Sequence, residues 1–184
     1  MATMRIHDGG KCDFMDALRS MEIKTGVEVG VLDGENAAVL CRGIPTLACL
    51  YCVDPYQTDV DGYTDAANNP QCVQDCRANL VQSMIDTGDI RGILIRQTSQ
   101  IAAETLKKYA PFDFVYIDAN HKLDHIRKDL ALWTPLVRIG GLVAGHDFGL
   151  NYLDSVVPAV FELIDSRSVQ LHVFKNDDIW CFVK

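Results

Sequence analysis

The sequence predicts an α/β fold in which a mostly parallel, doubly wound sheet ends in an antiparallel hairpin. First, apolar strand-like runs alternate with helical patterns along most of the chain, which is typical of βαβ units and a parallel sheet. Second, the final segment, VQLHVFKNDDIWCFVK, contains two strand-like runs joined by Lys-Asn-Asp-Asp. This arrangement indicates a hairpin.

The strands are predicted from short apolar runs that are rich in β-branched and aromatic residues. In chain order these runs are Val27–Val31, Leu47–Val53, Gly92–Ile95, Phe112–Ile117, Leu142–Ala144, Val169–Phe174 and Ile179–Val183. The helices are predicted from apolar residues that recur every three or four positions between those runs. They cover Asp13–Met21, Glu35–Cys41, Val73–Ile85, Thr98–Tyr109, Leu123–Leu136 and Val156–Ile164. The polar loop Tyr56–Gln71 is long enough to act as a lid.

The bulk composition limits the class of protein. A length of 184 residues predicts one domain, residues 1–184. The net charge of −8 and the lack of a basic run argue against binding to nucleic acid. We find no apolar run long enough for a membrane helix and no signal peptide. The sequence therefore predicts a cytoplasmic protein with no membrane or nucleic-acid partner.

Seven cysteines without a secretory signal do not predict a disulfide framework. Cys49 and Cys52 form a CxxC motif within a predicted strand, so their side chains should point to opposite faces of the sheet. Cys72 and Cys76 could share one helix face, but no second pair or nearby histidine completes a metal site. We expect most of the cysteines to be small buried residues.

The first strand leads into VEVGVLDGEN, a turn with two glycines, Gly30 and Gly34. The spacing is GxxxG, whereas a dinucleotide-binding turn is GxGxxG and holds a pyrophosphate. Glu28 and Asp33 lie beside the glycines, and two carboxylates disfavour a phosphate but suit an amino group. Asp54 ends the second strand, where an acid can bind both hydroxyls of a ribose. The turn therefore predicts a nucleoside ligand that carries an amino group and no phosphates, and S-adenosylmethionine fits this description.

From about Gly26 to Lys184 the sequence resembles the class I S-adenosylmethionine-dependent methyltransferases. VEVGVLDGEN resembles the first motif of that family, although Leu32 replaces its central glycine, and CVDPY resembles the second. YIDANH and GGLVAGHD resemble a subgroup of small-molecule O-methyltransferases with ID-x-x-H and GHD motifs. The resemblance implies a Rossmann-like, mostly parallel seven-stranded sheet with strand order 3-2-1-4-5-7-6. It also implies that the cofactor contacts Glu28, Gly30, Val31, Gly34, Asp54, Pro55, Thr98, Ser99 and Asp118.

Methyl transfer to a hydroxyl needs a group that removes the proton, either a base or a divalent metal that lowers the hydroxyl pKa. The resemblance suggests His121, Asp118 and His146 as catalytic residues, and Asp118, His146 and Asp147 as ligands for Mg²⁺ or another divalent metal. His146 departs from the all-oxygen ligands that Mg²⁺ prefers. Asp118 could instead cap the following helix, and His121 could serve as a hydrogen-bonding or capping residue.

Three alternatives to a small-molecule O-methyltransferase stay open. One is a protein of the same fold that uses S-adenosylmethionine for chemistry other than methylation, and another binds it without any chemistry. The third, an NAD-dependent oxidoreductase, is disfavoured by the GxxxG turn and the terminal hairpin. The sequence does not decide between an oxygen and a nitrogen acceptor. The small size of the chain also suggests a homodimer, in which a partner subunit helps to cover the methyl acceptor.

Overall fold

The computed structural model describes residues 3–58, 69–167 and 169–184, and its strands form one eight-stranded sheet. The strands are β1 Thr3–His7, β2 Thr25–Val29, β3 Cys49–Val53, β4 Gly92–Ile95, β5 Phe112–Ile117, β6 Val137–Gly145, β7 Gln170–Phe174 and β8 Ile179–Val183. Their order across the sheet is β1-β7-β8-β6-β5-β2-β3-β4. Only β8 runs antiparallel to its neighbours, β6 and β7. The α/β class and the terminal hairpin are therefore confirmed.

The predicted strand order differs from the observed order by one added strand. Without β1, the remaining seven strands follow the predicted order. β1 forms the sheet edge and pairs in parallel with β7, from Thr3 opposite Gln170 to His7 opposite Phe174. Its first four residues are exposed, so it lacks the alternation of buried and exposed side chains that marks a strand in a sequence.

In the described ranges, six α-helices cover the two faces of the sheet. They are α1 Lys11–Arg19, α2 Glu35–Gly43, α3 Gln71–Thr87, α4 Ser99–Leu106, α5 Leu123–Trp133 and α6 Val156–Asp165. Apolar residues of α1, α2 and α3 pack into one buried cluster, and those of α4, α5 and α6 pack into a second cluster on the opposite face. The sheet is thus doubly wound. None of the helices in the described ranges is long and apolar enough to span a membrane.

The cysteines are less buried than the sequence suggested. Only Cys41, Cys52 and Cys181 are buried, whereas Cys12, Cys72 and Cys76 are exposed. All seven thiols are free. The expectation failed for Cys72 and Cys76 because they lie on the solvent side of the first turns of α3.

The predicted lid, Tyr56–Gln71, is described only at its two ends. Residues 59–68, which include Asp59, Asp61 and Asp65, lie outside the described residues. At the described ends, the Gln71 side chain donates to the Tyr56 carbonyl oxygen over 3.0 Å. The ends of this segment are therefore held together beside β3.

Candidate active site

A cavity of about 590 Å³ opens at the carboxyl ends of β2, β3, β4 and β5. All of the predicted cofactor-binding residues except Gly34 line it, and His121 lines it too. Hydrogen bonds continue past the strand ends, since Gly30 N donates to Val53 O over 2.8 Å and Asp118 N donates to Val29 O over 2.8 Å. These bonds bring residues that are far apart in the sequence to one edge of the sheet, as expected for parallel strands.

The two glycines of the turn serve different purposes. Gly30 has φ +89°, and a β-carbon there would lie 2.0 Å from the carbonyl oxygen of Asp118. Gly34 has φ +85° and precedes α2, and its β-carbon would lie 3.0 Å from the Val81 side chain. Gly30 is therefore required where β2 and β5 approach each other at the cavity, whereas Gly34 leaves room for the Val81 side chain of α3 at the start of α2.

Asp54 holds the glycine turn as well as lining the cavity. Its Oδ2 accepts hydrogen bonds from the backbone N–H groups of Val31 and Leu32, both at 3.1 Å. Its Oδ1 accepts one from Tyr56 N at 2.9 Å. Burial raises the pKa of Asp54 and these hydrogen bonds oppose the rise. Since a carboxylate has about four acceptor positions, one position is left for a ligand hydroxyl.

Two buried oxygen atoms in the cavity wall, one on β2 and one on α2, have no hydrogen-bond partner among the described residues. Glu28 is 1% exposed, and its Oε1 accepts from Asn36 Nδ2 at 2.9 Å. The two unpaired atoms are Glu28 Oε2 and Asn36 Oδ1. Burial raises the pKa of Glu28 to about 8, although the bond from Asn36 opposes the rise. Because unpaired buried acceptors are costly, this end of the cavity fits a ligand that donates several hydrogen bonds.

A buried polar network lies at the end of the cavity next to β4. Ser99 Oγ donates to Asp129 and accepts from Trp133 Nε1 at 2.9 Å. Thr98 precedes α4 and lines the cavity together with Ser99 and Asp129. Asp129 is 5% exposed. Burial raises its pKa to about 6, against the opposing effect of the bond from Ser99.

The pKa of Asp129 leads to a prediction about stability. Its pKa in the folded protein is higher than its ordinary value of 3.8, so the folded state binds more protons between pH 4 and 6. The free energy of unfolding should therefore fall as the pH rises through this window, by about 3 kcal/mol from this one group. Urea unfolding of the wild type and of Asp129→Asn at pH 4, 5, 6 and 7 checks this. Equal slopes in the two proteins would contradict it.

Asp118, His121 and Asp147 form a compact group, which we call the acid–histidine group. His121 Nε2 lies 2.7 Å from Asp147 Oδ2 and 3.4 Å from Asp118 Oδ1. One possible ligand atom from each residue lies within 4.8 Å of the others. The ring of His121 also packs edge-on against Tyr152, with centroids 5.2 Å apart. These three residues could hold a divalent cation.

The charges within the acid–histidine group act strongly on one another. Burial lowers the pKa of His121, but the hydrogen bonds and charges of Asp118 and Asp147 outweigh it and raise the pKa to about 10. Burial raises the pKa of Asp147, but the hydrogen bonds from His121 and His146 hold it well below its ordinary value. Without a bound ion, an imidazolium therefore balances the two carboxylates at neutral pH.

His146 lies outside the acid–histidine group, although the sequence suggested it as a ligand beside Asp118 and Asp147. Its Nδ1 lies 3.1 Å from Asp147 Oδ1, its side chain is 36% exposed, and it does not line the cavity. The reason is the backbone at Asp147, which has φ +63°. The left-handed conformation turns the chain sharply after β6 and aims Asp147, not His146, at His121.

Several residues of the cavity wall were not found from the sequence, among them Lys11, Asn36, Gln74, Asp129 and Tyr152. Asp129 had a detectable signal, because it is an acid on the apolar face of a helix whose other positions there are buried. Lys11 had no such signal.

Together, a glycine turn after the first central strand, an acid after the second and a doubly wound sheet closed by an antiparallel hairpin define a methyltransferase-type fold. Residues 27–148 match the family model described as "Methyltransferase domain". That match covers more than half of the chain, so the chain belongs to this family. The chain matches no curated protein sequence.

Solved structures with the same fold include methyltransferases of different kinds. An O-methyltransferase from Bacillus cereus in complex with SAH superposes with a TM-score of 0.66 and 16% identity, covering 94% of this chain and 80% of that chain. A proposed rRNA methylase from Clostridium thermocellum superposes with a TM-score of 0.66 and 15% identity, covering 97% of each chain. The methyltransferase MycE in complex with Mg and SAH superposes with a TM-score of 0.58 and 18% identity, covering 93% of this chain and 47% of that chain. At these identities the similarity shows the fold.

Proposed function

We propose that residues 1–184 act as one domain that transfers a methyl group from S-adenosylmethionine to a hydroxyl group of a small molecule. Bound S-adenosylmethionine supplies the methyl group on an electrophilic sulfonium. The observation that carries the proposal is the position of His121. It contacts two carboxylates and lines the same cavity as the glycine turn.

The polar groups that line the cavity fit this cofactor. Glu28 Oε2 and Asn36 Oδ1 are unpaired acceptors at one end of the described cavity wall, and the α-ammonium group of the cofactor has three N–H donors to offer. Asp54 keeps one free acceptor position for a ribose hydroxyl. Thr98 and Ser99 lie at the end where the adenine would bind, with Gly30, Val31 and Pro55 along the wall between.

The acid–histidine group would remove the proton from the acceptor hydroxyl. At neutral pH His121 is protonated, because its pKa is about 10. Its neutral form, which predominates only at higher pH, would accept the hydroxyl proton, while Asp118 and Asp147 orient the ring and stabilise the imidazolium that results. His146 supports this arrangement through its contact with Asp147. A divalent cation held by Asp118, His121 and Asp147 would supply the positive charge now provided by the imidazolium, and it would lower the pKa of a bound hydroxyl.

A small-molecule acceptor is supported by the charge of the chain. The fold is shared with an O-methyltransferase and with a proposed rRNA methylase, so the fold does not choose between these substrate classes. A net charge of −8 disfavours an RNA backbone. The homodimer suggested by the sequence stays a prediction.

The proposal predicts micromolar binding of S-adenosylmethionine and SAH that does not depend on metal. Isothermal titration calorimetry with EDTA, and then with Mg²⁺ or Mn²⁺, measures this. Incubation with S-adenosylmethionine and either hydroxylated small molecules or RNA then shows which class of acceptor gives SAH. No binding of either ligand under any condition would overturn the cofactor assignment, and SAH formation only with RNA would overturn the acceptor class.

A further inference from the structure

The segment between β1 and α1 is fastened to the turn between β7 and β8. Asp8 forms a 2.5 Å salt bridge with Lys175, and its carbonyl oxygen accepts from Asn176 Nδ2 at 3.0 Å. The backbone N–H of Lys11 donates to Asp177 Oδ2 at 2.5 Å. Strand β1 and this turn together fix the position at which α1 begins.

Lys11, the first residue of α1, is thereby placed in the cavity wall with Glu28 and Asn36. In the described part of the chain its ammonium group forms no salt bridge. Its positive charge acts on Glu28, because it opposes the rise in the pKa of that carboxyl group. The cavity wall thus offers a cation whose charge acts on Glu28, together with two buried acceptors, Glu28 Oε2 and Asn36 Oδ1, that have no hydrogen-bond partner among the described residues.

With Glu28 ionised, this set of groups is the electrostatic complement of an amino-acid zwitterion. The two unpaired oxygens suit an ammonium group, and a lysine ammonium suits a carboxylate. A nucleoside without an amino-acid end would leave Glu28 Oε2 and Asn36 Oδ1 unpaired, and such groups are costly when buried. The chemistry of these groups therefore fits a ligand that carries both charges.

We propose that Lys11 is a positioning residue that binds the carboxylate of the amino-acid end of S-adenosylmethionine. This assignment rests on the proposed function. It gives β1 and the β7–β8 turn a role in ligand selection, because they hold Lys11 in place. Through the amino-acid end, Lys11 helps to fix the sulfonium at the acid–histidine group.

The test compares two ligands that differ only in the carboxylate. SAH carries it, whereas 5′-deoxy-5′-(3-aminopropylthio)adenosine keeps the adenosine, the thioether and the amine but lacks it. We expect the wild type to prefer SAH. Lys11→Gln should bind SAH about 10- to 100-fold more weakly, while its affinity for the amine should change less than about threefold. Lys11→Arg should keep most of the preference, since it keeps the charge.

Arg42→Gln is the matched control. Arg42 lies in the last turn of α2 and lines a neighbouring groove with Lys11, but it does not line the cavity. Removing its charge should leave both affinities unchanged. An equal loss for both ligands in Lys11→Gln, or no loss for SAH, would overturn the role of Lys11 while leaving the proposed function intact. If the wild type binds neither ligand, both proposals fail.

Discussion

Gly30→Ala should abolish SAH binding and lower the free energy of unfolding by roughly 3 kcal/mol or more. An alanine at φ +89° is strained, and its β-carbon would lie 2.0 Å from the carbonyl oxygen of Asp118. That oxygen is backbone, so β2 and β5 would have to separate. The separation would displace Asp118 and the wall of the cavity. Urea unfolding and calorimetry with SAH measure the two effects.

Gly88→Ala separates the strain of a left-handed alanine from the contact between its β-carbon and a neighbouring strand. Gly88 lies at the end of α3 and has nearly the same backbone angle, φ +86°, but among the described residues no atom lies within 4 Å of the position that a β-carbon would take there. Its free energy of unfolding should fall by about 1–2 kcal/mol, as expected for a left-handed alanine. It should bind SAH like the wild type. If the two variants were equally stable, contact between β2 and β5 would not explain the requirement for Gly30.

His121→Asn should lower kcat/KM for methyl transfer by about 10²- to 10³-fold and change the Kd for SAH less than about threefold. The size of the fall is that of losing a general acid–base group. Affinity should survive because the groups that fit the two ends of the cofactor, Glu28 and Ser99, lie elsewhere in the cavity. The rate of SAH formation with an active hydroxylated acceptor measures the first effect, and calorimetry measures the second.

His125→Asn is the control for this variant. His125 lies in the first turn of α5, which begins after His121, and it also lines the cavity, but it is not part of the acid–histidine group. At saturating cofactor its rate should stay within about threefold of the wild type. A parallel loss of rate in both variants would mean that the histidines shape the cavity and that His121 has no specific part in proton transfer.

Much of the fold and of the cavity could be predicted because the decisive patterns are local. The strands β2 to β8, of which the last two form the terminal hairpin, and the helices follow from apolar periodicity, which reports only on a residue and its near neighbours. Glu28, Gly30, Asp54, Ser99 and Asp118 could be placed together because they lie in the last residues of parallel strands or soon after them, and the carboxyl ends of such strands meet at one edge of the sheet.

The sequence by itself thus determined the order of the elements, the glycine turn and the edge of the sheet where the cavity opens. Only the tertiary structure decided that β1 joins the sheet edge, that Lys11 enters the cavity and that His121, not His146, joins Asp118 and Asp147. The first two depend on contacts between the two ends of the chain, and the third depends on a left-handed backbone at Asp147. Such long-range contacts and turn angles leave no periodic trace in the sequence, so they can be seen only once the chain is folded.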